Sequence, residues 1–380
     1  MHSTSSRSHT IPVFVNDYYS KPDISFETIK KSAKIAEAIV ASPRLSRLLD
    51  LCDPSDHENS VREAVKEIER YVDLAYLAAI RTGEPSSLAS SNGLGWDPSL
   101  YDMVVHSTAG ILSALREVQS GHLVAASLSS GMHHASPGKG SGFCTVNSLA
   151  IAALVAAREG HRVAILDLDA HCGGGTHAYL REYPELATLI THIDVSLSSF
   201  DRYIAQGAHS HLEIAHEDGY MDAVRRGLGR LMDVRPDVVF YNAGVDIWPQ
   251  VSPDTVRERD AAVAEMLIPR LDTKCVVVMA GGYGADEDII PLHVQTLDMF
   301  ASMRVLVNHE FTGGKPSSCS HCGGKIVPLF YGLPGDESIW DRVARGEIRL
   351  GGCCIWRGMP TDVCRSCNRE FGGIYDRESS

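Results

Sequence analysis

The chain has 380 residues, 44% of them hydrophobic, ten cysteines and a formal net charge of −13. That length permits one large core or two to three domains, and a bulk negative field disfavours a nucleic-acid partner while tolerating a cationic substrate. No apolar run follows the polar start MHSTSSRSHT, and the longest apolar stretch, SLAIAALVAA, is too short to span a bilayer. The sequence therefore predicts a cytoplasmic protein without a signal peptide or membrane contact, whose cysteines are reduced thiols or metal ligands.

In chain order, residues 25–49, 60–81 and 101–121 carry apolar residues at helical spacing, the last segment closed by Gly121. Five strand-length apolar runs follow: HLVAASL (122–128), RVAILDLD (162–169), LATLITHID (186–194), DVVFYNAG (237–244) and KCVVVMAGG (274–282). Helix-length segments such as VNSLAIAALVAAREG and MDAVRRGLGRLMD separate them. This alternation predicts an α/β fold, a mostly parallel sheet with helices on both faces. Composition then shifts. Residues 1–310 hold 26 basic and 40 acidic side chains (net −14), and 311–380 hold 9 and 8 (net +1). Six of the ten cysteines fall in 319–367, after the polar stretch NHEFTGGKPSS, so a boundary is placed between domains 1–311 and 312–380.

Ligands of open α/β sheets bind beyond the carboxyl ends of the strands. Here those ends carry His133 and His134, then Asp167, Asp169 and His171, then Asp246, and finally Tyr283. Taken singly, each has an ordinary explanation: a strand-end Asp is usually a cap or turn residue, and a lone His a hydrogen-bonded core group. The adjacent histidines could be metal ligands, acid–base groups or a coincidence of packing. If the strand ends converge, Asp169, His171 and Asp246 form a three-ligand set that leaves a Zn²⁺ position open to water. Neighbouring imidazoles would handle protons, and a tyrosine hydroxyl would donate to a carbonyl oxygen as it gains charge. The reaction class is metal-assisted amide hydrolysis.

The motifs GMHHASPGKGSGFCTVN, DLDAHCGGGT, YNAGVD and AGGYG, in this order, resemble the zinc-dependent histone deacetylases and their acetylpolyamine-deacetylase relatives, over roughly residues 10 to 305. The resemblance implies the arginase/deacetylase fold and hydrolysis of an N-acyl amine, either an acyl-lysine protein or a small molecule, to free amine and carboxylate. It implies catalytic zinc on Asp169, His171 and Asp246, paired catalytic histidines at His133 and His134 with Asp167 behind the first, and a carbonyl-polarising Tyr283. It further implies a rim acid at Asp97 in NGLGWDP, whose ordinary explanation is an Asp-Pro turn. Phe143, preceded by Gly142, matches one tunnel wall, and Ser196 and Leu197 with Asp167 match a monovalent-cation (K⁺) site.

Three departures stand out. The acid that the family places behind the second histidine aligns with Gly174, which leaves His134 without its expected partner. The wall opposite Phe143 has no clear counterpart in SSFDRYIAQG, and DIWPQVSPDTVRERD departs from the family after Asp246. Gly174, together with the cysteine-rich C-terminal segment, keeps a second reading open, a catalytically weak zinc-binding interaction protein on the same fold. The binuclear manganese ureohydrolases share the fold but need an acid where this chain has Gly173, so one metal is expected.

At the C-terminus CSHC (319–322) and CRSC (364–367) form two CxxC pairs. That spacing predicts a zinc ribbon in which Cys319, Cys322, Cys364 and Cys367 hold a structural Zn²⁺, with Cys353 and Cys354 as buried thiols or competing ligands. So short a segment needs the metal to hold its core. Its near-neutral charge favours a protein partner or lid role over DNA, and an oligomer is compatible with everything above.

Overall fold

The computed structural model describes residues 10–23, 30–56, 59–207, 209–269, 273–311, 318–319, 321–331, 337–352 and 360–373. Cys353 and Cys354 lie outside them. The larger sheet contains β1 (Ile11–Phe14), β2 (Leu49–Cys52), β3 (Val124–Ser127), β4 (Val163–Asp167), β5 (Ile190–Ser196), β6 (Ser210–Ile214), β7 (Val238–Gly244) and β8 (Lys274–Ala280). All are parallel, in the order β2-β1-β3-β8-β7-β4-β5-β6.

Period-2 alternation fixes both faces. Val239, Tyr241 and Ala243 of β7 and Val277 and Met279 of β8 enter one apolar core with Ile35, Ile39, Val224, Val263 and Phe300. Val238, Phe240, Val276 and Val278 enter another with Ile68, Leu112, Leu115 and Leu154. The first core is covered by helices Lys31–Ala41, Tyr220–Val234, Pro253–Leu267 and Asp286–Phe311. The second is covered by Ser60–Tyr71, Leu100–Ser120 and Ser148–Arg158. The α/β fold expected from the alternation is the one observed.

Local chemistry corrects some boundaries. Segment 60–81 is two helices, because the Asp73 carboxylate accepts the Ala75 (2.8 Å) and Tyr76 (3.1 Å) N–H groups and starts a second helix, Leu74–Thr82. Three strands, β1, β2 and β6, had no clear signal, being only four or five residues long and set toward the sheet's margins. Among the described residues, no helix is long and apolar enough to cross a membrane.

A second sheet holds β9 (Ile326–Tyr331), β10 (Arg349–Gly352), β11 (Pro360–Cys364) and β12 (Glu370–Gly373), in the order β10-β9-β11-β12. Val327, Leu329, Tyr331 and Val363 make its small core. Helix Asp286–Phe311 ends just before the expected boundary, and residues 312–317 lie outside the described residues.

Candidate active site

The four strands β3, β8, β7 and β4 are neighbours at the centre of the sheet, and each delivers chemistry at its carboxyl end. Beyond β3, the turn Met132–Ala135, closed by Ala135 N–H to Met132 O (3.2 Å), presents His133 and His134. Both are buried, each 4% exposed, so neither is a routine solvated surface group. Gly175 lets this turn pack so closely, since a Cβ there would lie 2.3 Å from the His134 carbonyl carbon.

The His133 Nδ1 lies 2.8 Å from Asp167 Oδ2, and the two histidines' Nε2 atoms lie 3.1 Å apart. Asp167 is itself held by Asn242 Nδ2, donating to its Oδ1 at 2.8 Å. Burial opposes charge on His133, but Asp167 and then Asp169 outweigh it and hold its pKa well above the imidazole norm. His134 goes the other way. Burial first, then the neighbouring His133, lower its pKa against the pull of Asp201.

Asp201 is the residue that sequence reading missed. Its Oδ2 lies 2.9 Å from His134 Nδ1, on the ring nitrogen opposite the one facing His133. The acid absent at Gly174 is supplied from the loop after β5. Gly174 is glycine for that reason: a Cβ would meet Asp201 O at 2.3 Å and its Oδ1 at 2.5 Å. Asp201 adopts a left-handed φ of 60°, and its Oδ2 also accepts the Gly175 N–H at 3.2 Å.

Asp169, His171 and Asp246 have donor atoms within 4.8 Å of one another. His171 Nδ1 lies 3.2 Å from Asp169 Oδ1 and 3.0 Å from Asp246 Oδ2. Hydrogen bonding to Asp169 and then Asp246 raises the His171 pKa to about 10. Two buried carboxylates and an imidazole with donor atoms this close fit a divalent metal with an open position.

Aromatic rings form the mouth. Phe143, Phe200 and Tyr283 are 45%, 48% and 47% exposed, partly open rather than packed into the core. Phe200 lies edge-on to His134 and His171, with centroids 5.0 and 5.8 Å away, and Phe143 lies 6.2 Å from Tyr283. Phe200 thus flanks both histidines from the loop after β5. Gly142 (φ 51°) keeps the gap open, because a Cβ there would lie 2.6 Å from His134 Cδ2 and 2.9 Å from Phe200 Cε1. The Tyr283 phenol is raised in pKa by desolvation and then by Asp169 and Asp246, so it stays a donor.

Asp97 has local partners. Its Oδ1 accepts the Ser99 N–H (2.8 Å) and hydroxyl (2.5 Å), and its Oδ2 accepts the Asp23 N–H at 3.3 Å. Ser196 donates to Asp194 Oδ1 at 2.6 Å, and Asp194 faces Asp167 across the β4–β5 register. Asp194 is a second buried carboxylate that sequence reading passed over; burial and then Asp167 raise its pKa to about 8.

In the C-terminal sheet, Cys319, Cys322, Cys364 and Cys367 have sulfurs within 4.8 Å of one another. Cys319 and Cys367 are 3.8 Å apart, Cys322 and Cys364 3.5 Å. Those separations are far beyond a disulfide bond. They match the edge of about 3.8 Å that a tetrahedron of zinc–sulfur bonds requires.

The histone deacetylase domain profile matches residues 26–290. An uncharacterized protein of Picosynechococcus sp. is 36% identical over 163 residues, covering 40% of this chain and 52% of that one. The acetoin utilization protein AcuC of Bacillus subtilis is 32% identical over 187 residues, covering 43% and 47%. The histone deacetylase clr6 of Schizosaccharomyces pombe is 34% identical over 94 residues, covering 24% and 23%. The chain thus spans about half or less of the length of these relatives. In fold it is similar to an acetylpolyamine aminohydrolase from Burkholderia pseudomallei, with a TM-score of 0.60 at 19% identity, covering 77% of this chain and 99% of that one.

Proposed function

This chain belongs to the histone deacetylase family, and on that premise we propose that it hydrolyses an N-acyl amine to free amine and carboxylate. One observation carries the reading: two adjacent buried histidines, each backed by its own carboxylate, lie beside a three-donor cation site. A divalent metal held by Asp169, His171 and Asp246, zinc by resemblance, supplies when bound a Lewis acid that polarises the acyl carbonyl and acidifies water.

The chain's own residues do the rest. His134, kept less basic than its neighbour, accepts the proton of the attacking water. His133, held charged by Asp167, returns a proton to the leaving amine. Tyr283 donates its hydroxyl hydrogen to the carbonyl oxygen as negative charge grows there. Phe143 and Phe200 pack the acylated stem and keep bulk water out, with Gly142 leaving the gap between them. Asp97 exchanges its long contact to the Asp23 amide for a substrate N–H. Asp167 and Asp194 are paired buried carboxylates that a monovalent cation such as K⁺ would neutralise. Residues 312–380 form a separate module in which the four cysteines hold structural zinc and present a face to a protein partner.

The competing reading, a weak binder on a deacetylase fold, rests on the missing acid at Gly174. Asp201 occupies that role, which favours the enzyme. The protein loaded with Zn²⁺ is assayed for deacylation over acetylated and longer-acyl lysine peptides and acetylated polyamines. Turnover of at least one class, abolished in Asp246→Ala, is expected. No turnover on any member while the metal is bound would refute it.

A further inference from the structure

Among the described residues Arg259 heads the largest fully buried side chains, and with its neighbour Asp260 it forms an ion pair in which both side chains are 0% exposed. Pairs of this kind contribute little net stability, because desolvating both charges offsets their attraction. What Arg259 does with its remaining donors is therefore informative. Its Nη1 donates to two backbone carbonyls, Leu168 O at 3.1 Å and Gly244 O. Leu168 immediately precedes Asp169, and Gly244 stands two residues before Asp246.

The sheet itself leaves these carbonyls to be claimed. Pairing between β4 and β7 closes with the Leu168 N–H bond to Asn242 O (3.2 Å), so both oxygens lie past the end of that ladder, where the Tyr220 hydroxyl also reaches Leu168 O at 3.5 Å. The two strand ends touch there, since a Cβ on Gly244 would lie 2.4 Å from the Asp169 Cα. One guanidinium nitrogen thus bridges the backbone segments that carry the two carboxylates. Asp260 holds the guanidinium in turn through Nε (2.8 Å). Asp260 is itself fixed by the Tyr241 hydroxyl from β7 and by Thr296 Oγ1 (2.6 Å) from helix Asp286–Phe311.

We propose that Arg259, clamped by Asp260, is a positioning residue that sets the spacing of Asp169 and Asp246. It touches neither substrate nor metal and acts through the backbone. The proposal rests on the metal-hydrolase reading above. Its expected size follows from the behaviour of outer-shell partners, whose loss typically costs 10–100-fold in metal affinity.

The test titrates Co²⁺ into metal-stripped full-length protein, with Asp246→Ala defining the background from the cysteines. Arg259→Met is compared with Arg259→Met/Asp260→Asn, which removes both charges while keeping an acceptor oxygen for Tyr241 and Thr296. Arg259→Lys serves as the conservative control. Folded, cooperatively melting variants are expected to bind the Asp246-dependent Co²⁺ 10- to 100-fold more weakly, with altered visible bands and a lower kcat at unchanged KM. Arg259→Lys should fall between them and wild type. Wild-type Co²⁺ affinity and spectrum in either folded Met variant would overturn the clamp, as would failure of both to fold, which marks a purely structural pair. A wild-type protein with no Asp246-dependent equivalent would instead overturn the metal-hydrolase reading itself.

Discussion

Asp201 Oδ2 and His134 Nδ1 are 2.9 Å apart, and the carboxyl that makes this bond fills the space a side chain at Gly174 would need. The acid behind the second histidine has thus been relocated to the loop after β5. Asp201→Ala should leave His134 free to rotate and lower kcat on the order of 10-fold to 10²-fold, with metal content unchanged. Asp201→Asn, which still accepts from the ring, should lose less. Equal activity of Asp201→Ala and wild type would show that His134 needs no orienting partner.

The converse substitution is expected to fail. Restoring the acid with Gly174→Asp drives a Cβ to 2.3 Å from a backbone oxygen and displaces Asp201. Overpacking of this kind costs roughly 1–3 kcal/mol. Thermal melts should place Gly174→Asp and Gly174→Ala both below wild type. A Gly174→Asp protein as stable as wild type would mean the loop carrying Asp201 yields at little cost.

The contrast between these two residues shows what the sequence could reveal. Asp167 closes β4, and Asp169 and His171 follow within four residues, so one strand end brings all three to the site. The paired histidines and Tyr283 likewise follow strand-length runs. Asp201 follows no periodic element. Its position comes from a loop with a left-handed residue, and only the packed sheet brings it to a histidine 67 residues earlier. Phe200, beside it, was illegible for the same reason. Arg259 lies on helix Pro253–Leu267, and its bonds reach the ends of β4 and β7, which no local pattern foretells.

His134→Ala and Tyr283→Phe should retain the metal and lose on the order of 10²-fold or more in kcat, because each removes a group that acts on a proton or on developing charge. Neither contributes to the Asp169–His171–Asp246 donor set. Metal analysis beside steady-state kinetics separates the roles. Loss of the metal in His134→Ala would make that histidine a ligand.

The purified protein should carry two metal equivalents, one on the four cysteines and one at Asp169, which His171 and Asp246 complete and which the His133–His134 pair also approaches. Asp246→Ala should lose one equivalent. Cys364→Ser should lose the other and turn residues 312–380 protease-sensitive, because three thiolates hold so small a core poorly. Limited proteolysis with metal analysis reads both. A single substitution that empties both sites would tie the two regions into one unit.

Lys31 gives a pH signature beside the donor set, within the field of Asp246 and Asp169. It is only 5% exposed and donates to the Gly281 carbonyl at the end of β8. It lines a cavity of about 40 Å³ with Tyr19, Ser107, Ser129 and Met132. Asp246, Asp169 and Cys144 favour its charge and His293 is disfavoured by it, yet burial dominates and lowers its pKa to about 8. The unfolded chain returns it to the ordinary value of 10.5. Below pH 8 both states are protonated and the native state bears the full cost of a buried charge. Between pH 8 and 10.5 the unfolded state binds more protons, so stability rises with pH. The gain from this one group is about 3 kcal/mol over that window. Urea unfolding of wild type and Lys31→Met, in the same metal-loaded state, should show wild type gaining on the variant from pH 7 to 10. Parallel pH curves for the two proteins would place the ammonium in contact with solvent.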